Sequence, residues 1–336
     1  MSNNLMSLPP LMTAVDIIDP SVSDELQLIE IPLPKLLPGH LIVKVEAAGV
    51  NRPDIFQRKG SYPPPPDASP IMGLEVSGTV VAKADDVTQW TIGDRICALV
   101  AGGGYAEYCL VHQDIALPLG NLSFEEGAAI PENFFTVWAN MVQIGQLKQG
   151  DTVLIHGGTS GIGSVAIQLA KAFGATVITT VGSKDKAIAA KSLGADCVIN
   201  YRTDDFVKVT QEYTNYHGVN MVVDIIGGDY VSKNYVVAAK FGRIIQIGMM
   251  KRNPTQLNMM PLMVKRLTHT GSTMRSRSNE EKAQIAKELH QQVWGMLQNG
   301  KIKPIINKIY TLCQVESAHH HMESGDLIGK IILVNS

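Results

Sequence analysis

The clearest pattern in the chain is a repeat of short apolar runs separated by segments of mixed polarity. Residues 151–156 (DTVLIH), 175–181 (ATVITTV) and 196–200 (DCVIN) are such runs, as are 220–226 (NMVVDII) and 242–247 (GRIIQI). They are rich in β-branched residues and do not alternate with polar ones, which predicts strands buried on both faces, as in a parallel sheet. Between the first two, Val165, Ile167, Gln168 and Leu169 begin a helical pattern, and residues 185–193 read as a helix closed by Gly194. Strand and helix in alternation predict an α/β fold with a doubly wound parallel sheet. Residues 268–273 are a sixth strand candidate at the sheet edge, where unpaired backbone groups would suit pairing with a second copy of the chain.

The N-terminal part has a different pattern. Strand candidates at 27–33, 40–47, 75–83, 94–99 and 104–112 are short and separated by Gly and Pro turns, which predicts a β-rich, barrel-like unit. Helix candidates lie at 124–142, broken near Pro131, and at 279–299. The apolar run at 329–334 (GKIILV) returns to β character. The expected organisation is therefore a nucleotide-binding domain at 131–275, inserted into a β-rich catalytic domain formed by 1–130 and 276–336.

The first apolar run leads into Gly157, Gly158, Gly161 and Gly163, and the helical pattern that starts at Val165 follows at once. Glycine allows a backbone to approach a diphosphate closely, and a helix start directs free N–H groups at the anion. Gly158, Gly161 and Gly163 give G-x-x-G-x-G, a variant of the usual dinucleotide fingerprint, in the required place between strand and helix. At the end of the next strand an NAD site usually carries Asp or Glu. Here Gly182 and Ser183 stand in that region, followed by Lys184 and Lys186. Donors and positive charge suit a 2′-phosphate, so the expected cofactor is NADPH. Asp185 leaves the NAD reading open, and both lysines also fit a solvated first helical turn.

The 336 residues are 45% apolar and 18% charged with a formal net charge of −2, an ordinary composition for a soluble globular chain. That charge gives no general attraction to nucleic acid or anionic membrane. No apolar run is long enough for a membrane span, and the first residues do not read as a signal peptide. Cys97, Cys109, Cys197 and Cys313 are scattered without a C-x-x-C pair, which argues against a disulfide framework and favours a reducing cytoplasm. Cys97 and Cys109 read as core residues. His319, His320 and His321 read as a solvated helix surface, since neighbours on a helix diverge too far to bind one ion. Lys265, Arg266, Arg275 and Arg277 read as a basic patch without aromatic partners, weak support for nucleic-acid binding.

Together, GVNRPD (49–54), GSYPPPP (60–66), IMGLEVSG (71–78), IGDR (92–95), GGGYAEY (102–108), HGGTSGIGSVAIQLAK (156–171) and IGKIIL (328–333) resemble the medium-chain dehydrogenase/reductase superfamily, in its zinc-independent quinone oxidoreductase branch. The resemblance covers nearly the whole chain. It implies a Rossmann domain plus a GroES-like β-rich domain. Compared with zinc-dependent members, Asn51 takes the place of a cysteine ligand and Leu74 that of a histidine ligand, so no metal is expected.

The resemblance implies an NADPH-dependent quinone reductase working by hydride transfer. It places Asn51, Asp54 and Tyr62 in or beside the substrate cleft. Asn51 would donate a hydrogen bond to a developing quinol oxygen, and Tyr62 would stack on the ring or supply a proton. Asn51 also fits a turn cap and Tyr62 a loop anchor. Where many relatives carry a second tyrosine, this chain has Phe56. Gly158, Ser160, Gly161, Ile162 and Gly163 would face the diphosphate. Ser183, Lys186 and Tyr201 would face the 2′-phosphate, and Thr136, Gly248 and Met249 the nicotinamide half. Lys330 would close over the cofactor, although it also reads as a solvated strand lysine. The expected partners are a small quinone and a second copy of the chain. Two alternatives remain open: reduction of an activated C=C bond, and a non-catalytic NADPH-binding redox sensor.

Overall fold

The computed structural model describes residues 8–18, 23–251 and 256–335. A hairpin of β1 (Leu11–Ile17) and β2 (Leu26–Pro32) opens the chain. Then come β3 (His40–Val50), α1 (Arg52–Arg58), β4 (Glu75–Lys83), β5 (Arg95–Leu99), β6 (Tyr108–His112) and β7 (Ala116–Pro118). Two short helices, α2 (Phe124–Ala128) and α3 (Pro131–Val137), lead out of this β-rich unit through a π-helical turn, Trp138–Ile144. Pro131 has no N–H to extend a preceding helix, so the segment at 124–142 is divided there, as its sequence predicts.

The parallel-sheet unit runs β8 (Thr152–His156), α4 (Gly161–Ala172), β9 (Thr176–Val181), α5 (Lys184–Ser192), β10 (Cys197–Asn200), α6 (Phe206–Tyr213), β11 (Val219–Asp224), α7 (Tyr230–Val237), β12 (Ala238–Gln246), α8 (Met260–Val264) and β13 (Thr268–Gly271). Its six strands pair in the order β10-β9-β8-β11-β12-β13, all parallel, so the sixth expected strand does form the edge. The chain continues with α9 (Asn279–Gln292), α10 (Trp294–Gln298), β14 (Ile306–Thr311), α11 (Val315–Ser324) and β15 (Lys330–Val334).

Packing explains this arrangement. Val153 and Ile155 of β8 share one core with Val165 and Leu169 of α4 and with Ile285, Leu289, Trp294 and Leu297 of α9 and α10. On the opposite face of the sheet, Leu154, Ile178 and Val222 pack against Phe206, Tyr230 and Tyr235. β15 returns to the β-rich unit, where it pairs antiparallel with β3 and places Ile331 opposite Val50. The seven-stranded sheet there has the order β14-β15-β3-β4-β5-β7, with β6 on β3. Among the described residues, no helix is long and apolar enough to cross a membrane.

Three expectations change. The strand expected at 104–112 starts only at Tyr108, because Gly103, Gly104 and Tyr105 instead donate backbone N–H groups to Ile71, Gly73 and Met72. His319 is not solvated: α11 buries Val315, Ala318, His319 and Met322, one face of a helix. The four basic residues do not act as one patch. Lys265 donates to the carbonyls of Tyr235, Val236 and Ala238 at the C-terminal end of α7, whereas Arg275 is buried against Ala101, Tyr62 and Gln57.

Candidate active site between the two units

The glycine turn is fixed by hydrogen bonds over a few residues. Ser160 caps α4: its hydroxyl accepts from the Gly163 N–H at 2.9 Å and donates to the Gly157 carbonyl at 2.8 Å. A Cβ on Gly163 would lie 2.2 Å from the Gly157 oxygen, so this position excludes any side chain. The N–H groups of Gly161 and Ile162, in the first turn of α4, have no intrahelical acceptor and are available to an anion.

This turn faces the other unit. A Cβ on Gly161 would meet Asn133 Nδ2 at 2.8 Å and Lys330 Cδ at 3.1 Å. Asn133 and Thr136 lie one turn apart on α3. Asn133 Nδ2 and Thr136 Oγ1 are both buried without a hydrogen-bond partner. The Gly329 N–H donates to the Thr159 carbonyl at 2.8 Å, which ties the start of β15 to the turn. Unpartnered buried polar groups beside free helix N–H groups are what a cleft for a polar, anionic dinucleotide requires.

The floor of this cleft is a buried polar cluster. Lys330 is 2% exposed and pairs with Glu75, which is fully buried. The Lys330 ammonium also donates to Asn51 Oδ1 at 2.6 Å, and Asn51 Nδ2 donates to Glu75 Oε1 at 2.8 Å. The second Glu75 oxygen accepts from the Glu132 N–H at 2.8 Å, so Glu75 caps the start of α3. Asp54 lies beneath Asn51, fully buried. Its Oδ2 accepts from the Asn51 N–H at 2.7 Å and from the Tyr105 hydroxyl at 3.0 Å, while Oδ1 has no partner. Burial pushes the Asp54 carboxyl up to about 6. Tyr105 continues the chain of contacts to His319 Nε2 at 3.3 Å, and burial pushes that imidazole down to about 3.

The remaining expected residues fall into two groups. Tyr62 is half-buried with its ring 5.5 Å from the Arg275 guanidinium; burial, then Glu132, raises its phenol. Phe56 is exposed. At the far end of the turn, Ser183 caps α5 by accepting from the Lys186 N–H at 3.3 Å. The Lys186 ammonium donates to the Gly325 carbonyl, at the C-terminal end of α11. Burial, and then Arg202, lower that ammonium against the pull of Asp326. A Cβ on Gly182 would be 2.5 Å from the Tyr201 hydroxyl, so Tyr201 stands over the end of β9. Gly248 follows β12 against Ile225, and Met249 is exposed beside Gly227.

Sequence reasoning missed five members of the site: Glu75, Tyr105, Asn133, Glu132 and Arg202. Arg202 had a local signal, as a second cation source beside Tyr201. His319 also had one, because it completes the apolar spacing of α11. Cys97 and Cys109 are buried, and burial raises both thiols, that of Cys109 to about 12, as expected of core residues. Among the described residues, no group of three or more His, Cys, Asp or Glu side chains is arranged to hold a metal. Asn51, for which the resemblance implies no metal, contacts the Lys330 ammonium.

Comparison with known proteins agrees with this geometry. The family described as "Alcohol dehydrogenase GroES-like domain" matches residues 37–121, and "Zinc-binding dehydrogenase" matches residues 161–291. The quinone oxidoreductase of Homo sapiens is 31% identical over 310 residues, 91% of this chain and 92% of that protein. The structure of Escherichia coli quinone oxidoreductase complexed with NADPH superposes with a TM-score of 0.83 at 29% identity, covering 96% of this chain and 99% of that one. The CurK enoyl reductase shares the fold, with a TM-score of 0.85 at 23% identity and coverage of 98% and 100%.

Proposed function

The chain belongs to the medium-chain dehydrogenase/reductase superfamily, in its quinone oxidoreductase branch, and on that basis we propose that it reduces small quinones with NADPH. The observation that carries this reading is the convergence at one cleft of the α4 turn, the unpartnered Asn133 and Thr136, and the Lys330–Asn51–Glu75 cluster. When bound, the reduced nicotinamide supplies a hydride. Every other task falls to the protein.

Gly158, Ser160, Gly161, Ile162 and Gly163 are the groups that would hold the diphosphate, through N–H groups and close backbone approach. Ser183, Lys186, Tyr201 and Arg202 would hold the 2′-phosphate; two cations and two hydroxyls there favour NADPH over NADH. Asn133 and Thr136 offer a donor and a hydroxyl to the carboxamide of the nicotinamide, and Gly248 and Met249 flank its ribose. Asn51 and Lys330 bring a dipole and a cation to the substrate side, where charge develops on a quinone oxygen. Asp54 acts from beneath, by fixing Asn51. Tyr62 stacks on the substrate. A quinone accepts hydride readily once it is correctly placed, so positioning supplies most of the rate.

We further propose a homodimer through the β13 edge. Its residues are exposed or half-buried, and Met259, Met260, Met263 and Val264 are exposed nearby. Light scattering on the eluted protein should give twice the chain mass, and a monomer at micromolar concentration would rule this out. The activity test follows oxidation of NADPH and NADH with 1,4-benzoquinone, a naphthoquinone and trans-2-hexenal. Rapid quinone-dependent loss of NADPH, with NADH slower by at least about tenfold, is expected. Turnover of hexenal alone would shift the chain to the C=C reductases. Tight NADPH binding without turnover of any acceptor would favour a sensor.

A further inference from the structure

Three carboxyl groups surround one buried ammonium: Glu75, Asp54 and Glu132 all act on or with Lys330. Glu75 is engaged through both oxygens, and Asp54 through Oδ2 alone. Glu75 holds Lys330, the Asn51 amide and the start of α3; Asp54 holds the Asn51 N–H and the Tyr105 hydroxyl. The carboxyl of Glu132 has neither a hydrogen bond nor an ion pair among the described residues. Besides Glu75, Lys330 and Asp54, the charged or titratable groups around it are Lys282 of α9 and, in the flanking loops, Tyr62 and Arg275. Neither of these cations is bonded to it. Lys282 donates to the Arg275 carbonyl at 3.0 Å, and the Arg275 guanidinium is bonded to Ala101, Tyr62 and Gln57.

Glu132 also occupies a telling position. It directly precedes Asn133 and lies one turn before Thr136, the two unpartnered groups that face the cofactor turn. It is half-buried and near enough to Tyr62 to raise that phenol.

We propose that Glu132 is the acid that protonates the reduced substrate, an assignment that rests on the reductase reading above. Hydride addition reduces the quinone by two electrons and leaves a hydroquinone monoanion, with the charge on oxygen. The O–H bond of the Glu132 carboxyl breaks, its proton bonds to that oxygen, and the electron pair remains on the carboxylate. A solvent proton then restores the acid. The surroundings suit this role: burial, and next the Glu75 carboxylate, push the Glu132 carboxyl up to about 8, against the pull of Lys330. It therefore carries its proton at neutral pH and can release it there. Lys330, fixed between Glu75 and Asn51, is left to stabilise negative charge rather than to exchange a proton.

The test compares the wild type with Glu132→Gln, which copies the shape and neutrality of the protonated acid. With 1,4-benzoquinone, wild-type kcat should fall as pH rises above about 8, and the variant should lose about 100-fold in kcat together with that alkaline limb. The Kd for NADPH, read by fluorescence, should change less than about twofold. In the free protein with carbon-13 at the glutamate carboxyls, one signal should titrate near pH 8 and be missing in the variant. A variant with the wild-type kcat and pH profile overturns the assignment and leaves the reductase reading standing. A wild type that reduces no acceptor overturns that reading, and this assignment with it. Should the variant fail to fold, absence of any glutamate carboxyl titrating between about pH 7 and pH 9 in the wild type is sufficient to reject the assignment.

Discussion

The glycine turn before α4 and the polar cluster around Lys330 lie against each other across the cleft, yet opposite means hold them. The turn is local and uncharged: Ser160 bonds to both Gly157 and Gly163 within seven residues, and its shape is set by atoms that are missing. The cluster is distant in sequence and electrostatic: Lys330 meets Glu75 across 255 residues and Asn51 across 279. The cofactor side should therefore tolerate changes of pH and fail on the addition of a methyl group. The substrate side should tolerate small changes of shape and fail on changes of charge.

Charge on the substrate side gives the largest expected effect. Lys330→Met would leave the buried Glu75 carboxylate without its cation, at a cost of about 3–5 kcal/mol in urea unfolding. Adding Glu75→Gln should recover most of that loss. A single-variant loss below about 1 kcal/mol would show that water reaches the pair and that the contrast is overdrawn.

Asp54 sharpens the same side through pH. Its folded carboxyl lies near 6 against an ordinary 3.8, so the native state binds the proton more tightly than the unfolded chain. The stability from this group is fully present below about pH 4 and is lost as pH rises through 6, by about 3 kcal/mol in all. Asp54→Asn should reduce the slope of denaturation curves between about pH 4 and pH 6 and leave the part that Glu132 contributes up to about pH 8. An unchanged slope would assign it to another group.

The smallest of the three effects tests the cofactor side. Gly163→Ala places a methyl against the Gly157 carbonyl and should weaken NADPH binding about 100-fold, or about 2.7 kcal/mol, equally at pH 6 and pH 8. A strong dependence on pH would mean that the turn is coupled to the carboxyl cluster. Loss below about threefold would mean that the turn opens without penalty.

The same contrast decides what could be read from the sequence. The parallel sheet, its edge strand and the glycine turn were legible because each is specified by a short run: β-branched residues for strands, and Ser160 with its glycines for the cap. Asn51, Asp54 and Lys330 were reached through the family resemblance, but not their contacts with Glu75 and Tyr105, which depend on β15 lying beside β3. Glu132 and Asn133 gave no periodic signal, because a carboxyl and an amide on a short helix gain meaning only from what faces them. His319 was misread from its neighbours His320 and His321, although its spacing from Val315, Ala318 and Met322 places it on the buried face.

One consequence follows from the place of Lys330 in the last strand. A chain emerging from the ribosome presents Glu75 some 255 residues before the lysine that neutralises it. The parallel sheet and the helices α9 and α10 that share its core are complete once α10 has emerged, so this unit can fold while synthesis continues. The β-rich unit must wait with an open gap beside β3 until β15 arrives. Truncation just before the final strand would therefore remove Lys330 from the candidate site and leave a chain that still folds its parallel-sheet unit.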